Sequence, residues 1–444
     1  MKTLVRIITL TGIFTPLIFI PTIISSCNSA DKDNSFTISS PEARWPLIEI
    51  ENVTHHTVFK EEGSYASFPS LAINPSNDYL YTMFNVKDAV SHHHTADERT
   101  VTMESRDGGV TWQTIGAIPS GARDARPVRP GLISTGRDTG SLHGGAFEMP
   151  DGALVRIGHY MWRWLPVDRL PEFEGKYSIT PGAENRGPGL DYFGYVSGGY
   201  LERSEDGGQT WERTEIPELD VYESCSSPWS YDQLPDGTVI SAFALRRSAE
   251  DQYMNKVVAV LTRDGRTAQL VDVMGGEPGY HFTEETLVHV TGKGDIWMLT
   301  RVQDNVSERG HHNLWQAVSV DGGRSWTSGP TAINIGRSPA SGLVQLDDGR
   351  LLLVAGHRRP LYGIHALVSE DEGLTWHHDR RISLRQDGHG FDLGYARAVK
   401  LSDGSVVTIY YYSTAEEVAT EGITTRSIIA TRFRVPDLNY YKTN

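Results

Sequence analysis

Short runs of apolar residues recur along this chain, many alternating with polar ones, and they come in pairs around tight turns. The turns are NPSNDY (Asn74–Tyr79), MPDG (Met149–Gly152), LPDG (Leu234–Gly237), GKGD (Gly292–Asp295), LDDG (Leu346–Gly349) and LSDG (Leu401–Gly404). Asp-Gly between two apolar runs signals a β-hairpin, because aspartate accepts turn hydrogen bonds and glycine tolerates left-handed dihedrals. Six hairpins are therefore predicted, with arms such as ALVRIG, RLLLVAG and SVVTIYY as strands.

A second turn repeats beside the first. SRDGGVTW (Ser105–Trp112), SEDGGQTW (Ser204–Trp211), SVDGGRSW (Ser319–Trp326) and SEDEGLTW (Ser369–Trp376) share one pattern, and LTRDGRT (Leu261–Thr267) keeps part of it. The repeating unit reads strand, tight turn, strand, loop, strand, Asp-containing turn, strand. Six such units predict an all-β, six-bladed β-propeller with four-stranded antiparallel blades. Residues 45–60 are expected to supply a strand that closes the ring, and the Gly/Pro-rich insertion near Leu165–Gly194 to be a surface loop.

Composition agrees. In 444 residues, 44 Gly and 22 Pro suit a turn-rich fold, and 39% apolar content suffices for a core. The formal charge of −15 argues against nucleic acid as a partner, since phosphate binding rests on Lys and Arg. An acidic substrate would need a local basic pocket set against that field.

Residues 1–27 read as a lipoprotein-type signal peptide. Lys2 and Arg6 precede the apolar run Ile7–Ile24, and IISSC ends at Cys27, the expected site of lipidation. The run is short and holds Pro16 and Pro21, which disfavours a transmembrane anchor. Residues 28–44 read as a tether and 45–444 as a single propeller domain. The expected location is the cell surface or periplasm, with the outer membrane as partner through the lipid. Cys225, the other cysteine, reads as a small buried apolar residue.

Strand direction sorts the loops. Both kinds of turn fall on one face, and the unit entrances and second-to-third-strand loops on the other. That working face collects Ser67; His92, His93, His94, Asp97, Glu98 and Arg99; His143 and His159 with Tyr160 and Arg163; Trp229, Arg246 and Arg247; Glu284, Glu285 and Arg301, with His311 and His312 nearby; His357, Arg358 and Arg359; and Tyr395 with Tyr410, Tyr411 and Tyr412. Converging His, Arg, Glu and Tyr in an acidic chain point to a sugar site. Neighbouring histidines on an extended loop rarely reach one ion, so His92–His94 read as a solvated loop, and a structural metal ion stays an open possibility.

The repeated S-x-D-x-G-x-T-W turns on six units resemble the Asp boxes of the sialidase superfamily, over roughly residues 60–435. That resemblance implies a Tyr nucleophile assisted by Glu, three arginines around the substrate carboxylate, and an Asp acid/base. GYARAVKLSDGSVVTIYY points to Tyr395 as the nucleophile. ETLVHVTGKGDIWMLTR points to Glu285 and Arg301, and HRRPLYGIHALVSEDEG to Arg358 or Arg359; Asp97 would be the acid/base. The first unit departs from the pattern: YASFPSLAI puts Ser67 where the superfamily's Arg-Ile-Pro entrance would place an arginine.

That missing arginine leaves three readings. The leading expectation is a polysaccharide lyase cleaving uronate-containing, ulvan-like chains by β-elimination, with His143 and His159 as candidate acid and base and Arg246, Arg301 and several tyrosines around them. The second is a sialidase-like retaining exo-glycosidase acting on a sialoglycan. The third is a non-catalytic glycan-binding propeller using Trp162, Trp164 and Trp229. Ligand-binding residues under the enzyme readings are Arg246, Arg301, Arg358, Arg359, Trp229 and Asp97.

Overall fold

All six expected hairpins form. Asn74 stands opposite Tyr79, Glu148 opposite Leu154, Gln233 opposite Val239, Val290 opposite Ile296, Gln345 opposite Leu351 and Lys400 opposite Val406. The Asp-Gly chemistry explains the turns. In five of them a glycine sits at positive φ: Gly294, and Gly152, Gly237, Gly349 and Gly404 of the four Asp-Gly turns. In the same four the preceding aspartate accepts a backbone N–H two residues on, at 2.8 to 3.1 Å.

The computed structural model describes residues 47–436, apart from 89–97, 119–122, 125–132, 135–144, 161–162, 176, 178, 183–187, 196–197, 221–223, 226–229, 247–253, 276–280, 303–312, 337 and 418–424. All of these lie in the compact unit Phe36–Asn444. The fold is all-β, and its helical segments among the described residues are short 3-10 turns.

Four- and five-stranded sheets dominate. Phe282–Val290, Ile296–Val302, Asn313–Ser319 and Thr327–Asn334 form one antiparallel four-stranded sheet. Gly394–Lys400, Val406–Tyr412 and Ser427–Phe433 form another, whose fourth strand is Thr54–Phe59, from within residues 45–60. The other sheets depart from four uniform strands. Leu47–Glu49 adds a parallel fifth strand beside Arg381–Arg385. The first two units share one eleven-stranded sheet, joined through Arg123–Asp124 and Ile133–Ser134. The insertion is a three-stranded antiparallel sheet of Arg163–Pro166, Ile179–Pro181 and Tyr192–Tyr195, rather than a loop. Its aromatic residues Phe173, Tyr177, Phe193 and Tyr195 pack on one another and give it a small core of its own.

Strand alternation buries both faces of the inner strands. In Leu351–His357, Leu352 and Val354 pack toward the C-terminal sheet, while Leu351, Leu353 and Ala355 pack toward the sheet containing Trp297. The same logic joins the last sheet to the first, where Val407, Ile409 and Tyr411 meet Leu80, Phe84 and Val101.

The Asp turns repeat in geometry as in sequence. Ser105 Oγ donates to Asp107, Gly109 N donates to Ser105 Oγ, and Thr111 N donates back to Asp107, at 2.9 Å each. The turns at Ser204, Ser319 and Ser369 repeat these bonds. These donors hold Asp107, Asp206, Asp321 and Asp371 below the usual carboxylate range.

Candidate functional site

Tyr395, the second residue of its strand, lies in the left-handed region at φ 52°, directly after Gly394 at φ 106°. A register shift between Gly394 and Arg397 lets the chain leave the ladder there. Gly394 also packs on Gly356, so closely that a Cβ on either would lie 2.9 to 3.0 Å from the other's Cα. These two glycines allow the strands to approach and aim Tyr395 out of the sheet. A non-glycine residue in this region costs about 1–2 kcal/mol, which the surroundings must offset.

The surroundings are Glu285 and Arg301, both buried in the sheet that runs from Phe282 to Asn334. Tyr395 Oη donates to Glu285 Oε1 at 2.5 Å, and Arg301 Nη1 donates to the same oxygen at 2.5 Å. Arg301 Nη1 also lies 3.3 Å from Tyr395 Oη. Glu285 follows Phe282 through a bulge in the strand register, which turns its carboxylate toward the sixth unit. Burial, and then the Glu285 charge, push the Tyr395 hydroxyl well above its usual range, and Arg301 and Arg358 oppose them. The resting state is thus a neutral phenol hydrogen-bonded to a carboxylate, so a base is already in place for that proton.

Arg358 stands over the Tyr395 ring, 5.2 Å from its centroid. It donates to Leu393 O and to Tyr411 Oη, each at 2.9 Å. Arg359, its neighbour, donates instead to Asn334 Oδ1 at 2.9 Å. The sequence left these two arginines open, and in the structure Arg358 joins the Tyr395 group.

Ser67, the position of the expected arginine, is buried opposite Asn85. The next residue, Phe68, fills the entrance. It too is left-handed, at φ 56°, and meets Tyr395 edge-on at 4.8 Å. Four residues of this neighbourhood escaped the sequence reading: Tyr65, Phe68, Asp392 and Arg426. Tyr65 and Phe68 lie within two residues of Ser67, and Arg426 ends a second-to-third-strand segment, so the same face argument could have reached them.

The remaining candidates spread out. His159 ends its strand opposite Gly199; its Nε2 is buried and unpartnered, and burial lowers its pKa to about 4. Among the described residues it makes no hydrogen bond or ring contact with the Tyr395 group. Arg246 ends the strand Val239–Arg246, opposite Ser224. Trp164 lies against Gly194 within the insertion sheet. Cys27, His92–His94, Asp97, His143, Trp162, Trp229, Arg247, His311 and His312 lie outside the described residues. Among those described, no three His, Cys, Asp or Glu side chains gather as a metal site.

Residues 196–409 match a BNR repeat-like domain. No curated protein matches the chain. A protein of unknown function from Dyadobacter fermentans is 21% identical, with a TM-score of 0.58 over 87% of this chain and 100% of that one. The NanB sialidase of Streptococcus pneumoniae is 10% identical, with a TM-score of 0.52 over 85% of this chain and 70% of that one. A leech intramolecular trans-sialidase is 11% identical, with a TM-score of 0.50 over 86% and 70%. Identities this low speak to fold, and the chain is therefore an all-β protein that resembles the sialidase-like BNR superfamily in its repeats and architecture.

Proposed function

We propose that this chain is a sialidase-type glycoside hydrolase, with Tyr395 as nucleophile, acting on a terminal acidic sugar. One observation carries the reading: Tyr395 Oη donates to buried Glu285 while Arg301 holds the same carboxylate oxygen. In the proposed reaction Glu285 takes the phenolic proton as Tyr395 Oη bonds to the anomeric carbon. The glycosidic C–O bond breaks, and an acid donates a proton to the leaving oxygen; Asp97 is the sequence candidate for that acid. Water then attacks the anomeric carbon, giving its proton to the acid that had lost one, while the tyrosyl–sugar bond breaks and Glu285 returns the phenolic proton to Tyr395. A neutral phenol suits an anomeric carbon that bears a carboxylate, because an anionic nucleophile would be repelled. Arg358 supplies charge for that carboxylate.

Eliminative cleavage of a uronate chain, the leading expectation from sequence, has less support. His159 is separate from the Tyr395 group, whereas C5 proton abstraction needs a base beside the acid. The fold neighbours named above as sialidases add support for a glycan substrate. We further propose a closed six-bladed ring on which Thr54–Phe59 completes the last blade, and export as a lipoprotein anchored through Cys27.

The test is incubation with a fluorogenic sialoside and with ulvan-type uronans. Release of the fluorophore by the native enzyme, lost in Tyr395→Phe, is expected. Ultraviolet-absorbing unsaturated products without fluorophore release would replace this reading with the lyase.

A further inference from the structure

Arg301 and Arg358 both face Tyr395, but they are held differently. Arg301 is ion-paired directly with Glu285. Arg358 has neutral acceptors, the Leu393 carbonyl and the Tyr411 hydroxyl, and among the described residues no carboxylate pairs with it. A carboxylate does stand one hydroxyl away. Tyr411 Oη donates to Asp392 Oδ1 at 2.8 Å, and Tyr65 Oη donates to Asp392 Oδ2 at 2.7 Å. Both tyrosines are buried. Arg426 donates through Nε to the Asp392 carbonyl at 3.0 Å and through Nη1 to Ser413 Oγ at 2.7 Å, with its guanidinium 3.8 Å from the Asp392 carboxylate.

We propose that Asp392 is a positioning residue that acts through Tyr411 to hold the Arg358 guanidinium as the site's anion-binding cation; this rests on the glycosidase reading above. An ionised carboxylate can only accept, so both tyrosine hydroxyls must turn their protons toward Asp392. That orientation leaves a Tyr411 lone pair for Arg358, and the chain of bonds polarises in one direction. Burial pushes both hydroxyls up, so they remain protonated donors. A direct Asp–Arg pair would orient the guanidinium equally well but would neutralise it. The intervening hydroxyl orients it and leaves its charge for a carboxylate on the sugar. The site's grip then differs from a plain three-arginine one: Phe68 stands at the first-unit entrance, and half-buried Arg358 is the charge that no carboxylate pairs with among the described residues.

The experiment compares wild type with Asp392→Asn and Tyr411→Phe. Calorimetry measures binding of N-acetylneuraminic acid and of its uncharged methyl ester, and the crystal structure of Asp392→Asn locates Arg358. An asparagine amide must donate to one tyrosine, which reverses that hydroxyl. Both variants are expected to bind the acid about tenfold more weakly, the loss of one charge-assisted bond, with ester binding unchanged. With the sialoside, KM rises and kcat holds. Acid and ester affinities falling together, or Arg358 unmoved on Tyr411 in the Asp392→Asn structure, would overturn the proposal. If wild type binds neither probe, the carboxylate reading of the site fails, and the Arg358 position still decides the relay. Should Asp392→Asn not fold, Tyr411→Phe carries the same test.

Discussion

Tyr395 and Glu285, 110 residues apart, share a 2.5 Å hydrogen bond between the fourth and sixth repeating units. The bond couples nucleophile and base. Tyr395→Phe keeps the ring against Phe68 and leaves Arg301 paired with Glu285, so the fold should persist while the covalent step disappears. We expect sialoside hydrolysis to fall by at least about 10³-fold, with a thermal midpoint within a few degrees of wild type. An active, equally stable phenylalanine variant would remove Tyr395 from the chemistry.

Glu285→Ala should act on stability as well as activity. It strands Arg301 in a buried position with its main counter-ion removed. Breaking a buried ion pair from one side costs about 3–5 kcal/mol, whereas removing both partners costs less. Urea unfolding should therefore show Glu285→Ala less stable than the double variant Glu285→Ala/Arg301→Ala. Additive losses would mean the pair is decoupled.

The hairpins and Asp turns were legible because their chemistry is local: aspartate, glycine and serine satisfy one another within a few residues. Tyr395, Glu285 and Arg301 were legible because the resemblance to the sialidases covers the segments that carry them. Arg358 and Arg359 could not be separated, since adjacent residues leave a strand end in different directions and only the packing decides. The Tyr65–Asp392 bond spans 327 residues and depends on how the first and last units meet, which no local pattern encodes. The insertion hid its three strands behind Gly and Pro, and only mutual packing of its aromatic residues makes it a sheet.

Acid should destabilise the fold in two stages. Burial lowers His159 to about 4 and His357 to about 3, with Arg381 and Arg359 adding to the effect on His357. The unfolded chain takes these protons near pH 6.5 and the folded chain does not, so stability falls as pH drops below about 6.5. The Asp-turn carboxylates are depressed in the fold, so their contribution is present above about 3.9 and is lost below it. Urea midpoints should thus decline between pH 7 and 5, and His357→Gln should flatten that slope. An unchanged slope in this variant would assign the early loss to other groups.

Gly356 and Gly394 test whether the backbone approach sets the site. A Cβ at position 356 would lie 2.9 Å from Gly394 Cα and 2.9 Å from Ser338 Oγ, contacts that real side chains do not make. Gly356→Ala must therefore push the two strands apart, and Tyr395 lies at the start of the strand that moves, next to Gly394. Gly394→Ala adds a left-handed strain to a similar clash, since its φ is 106°. We expect each to cost more than about 1 kcal/mol of stability. Each should also lower kcat more than it raises KM, because the nucleophile shifts while Arg358 stays on Tyr411. Gly349→Ala is the control: it sits at positive φ in a tight turn on the opposite face, with nothing within 4 Å of the new methyl. It should lose comparable backbone stability and keep its activity. If all three variants keep activity, the glycine pair does not aim Tyr395.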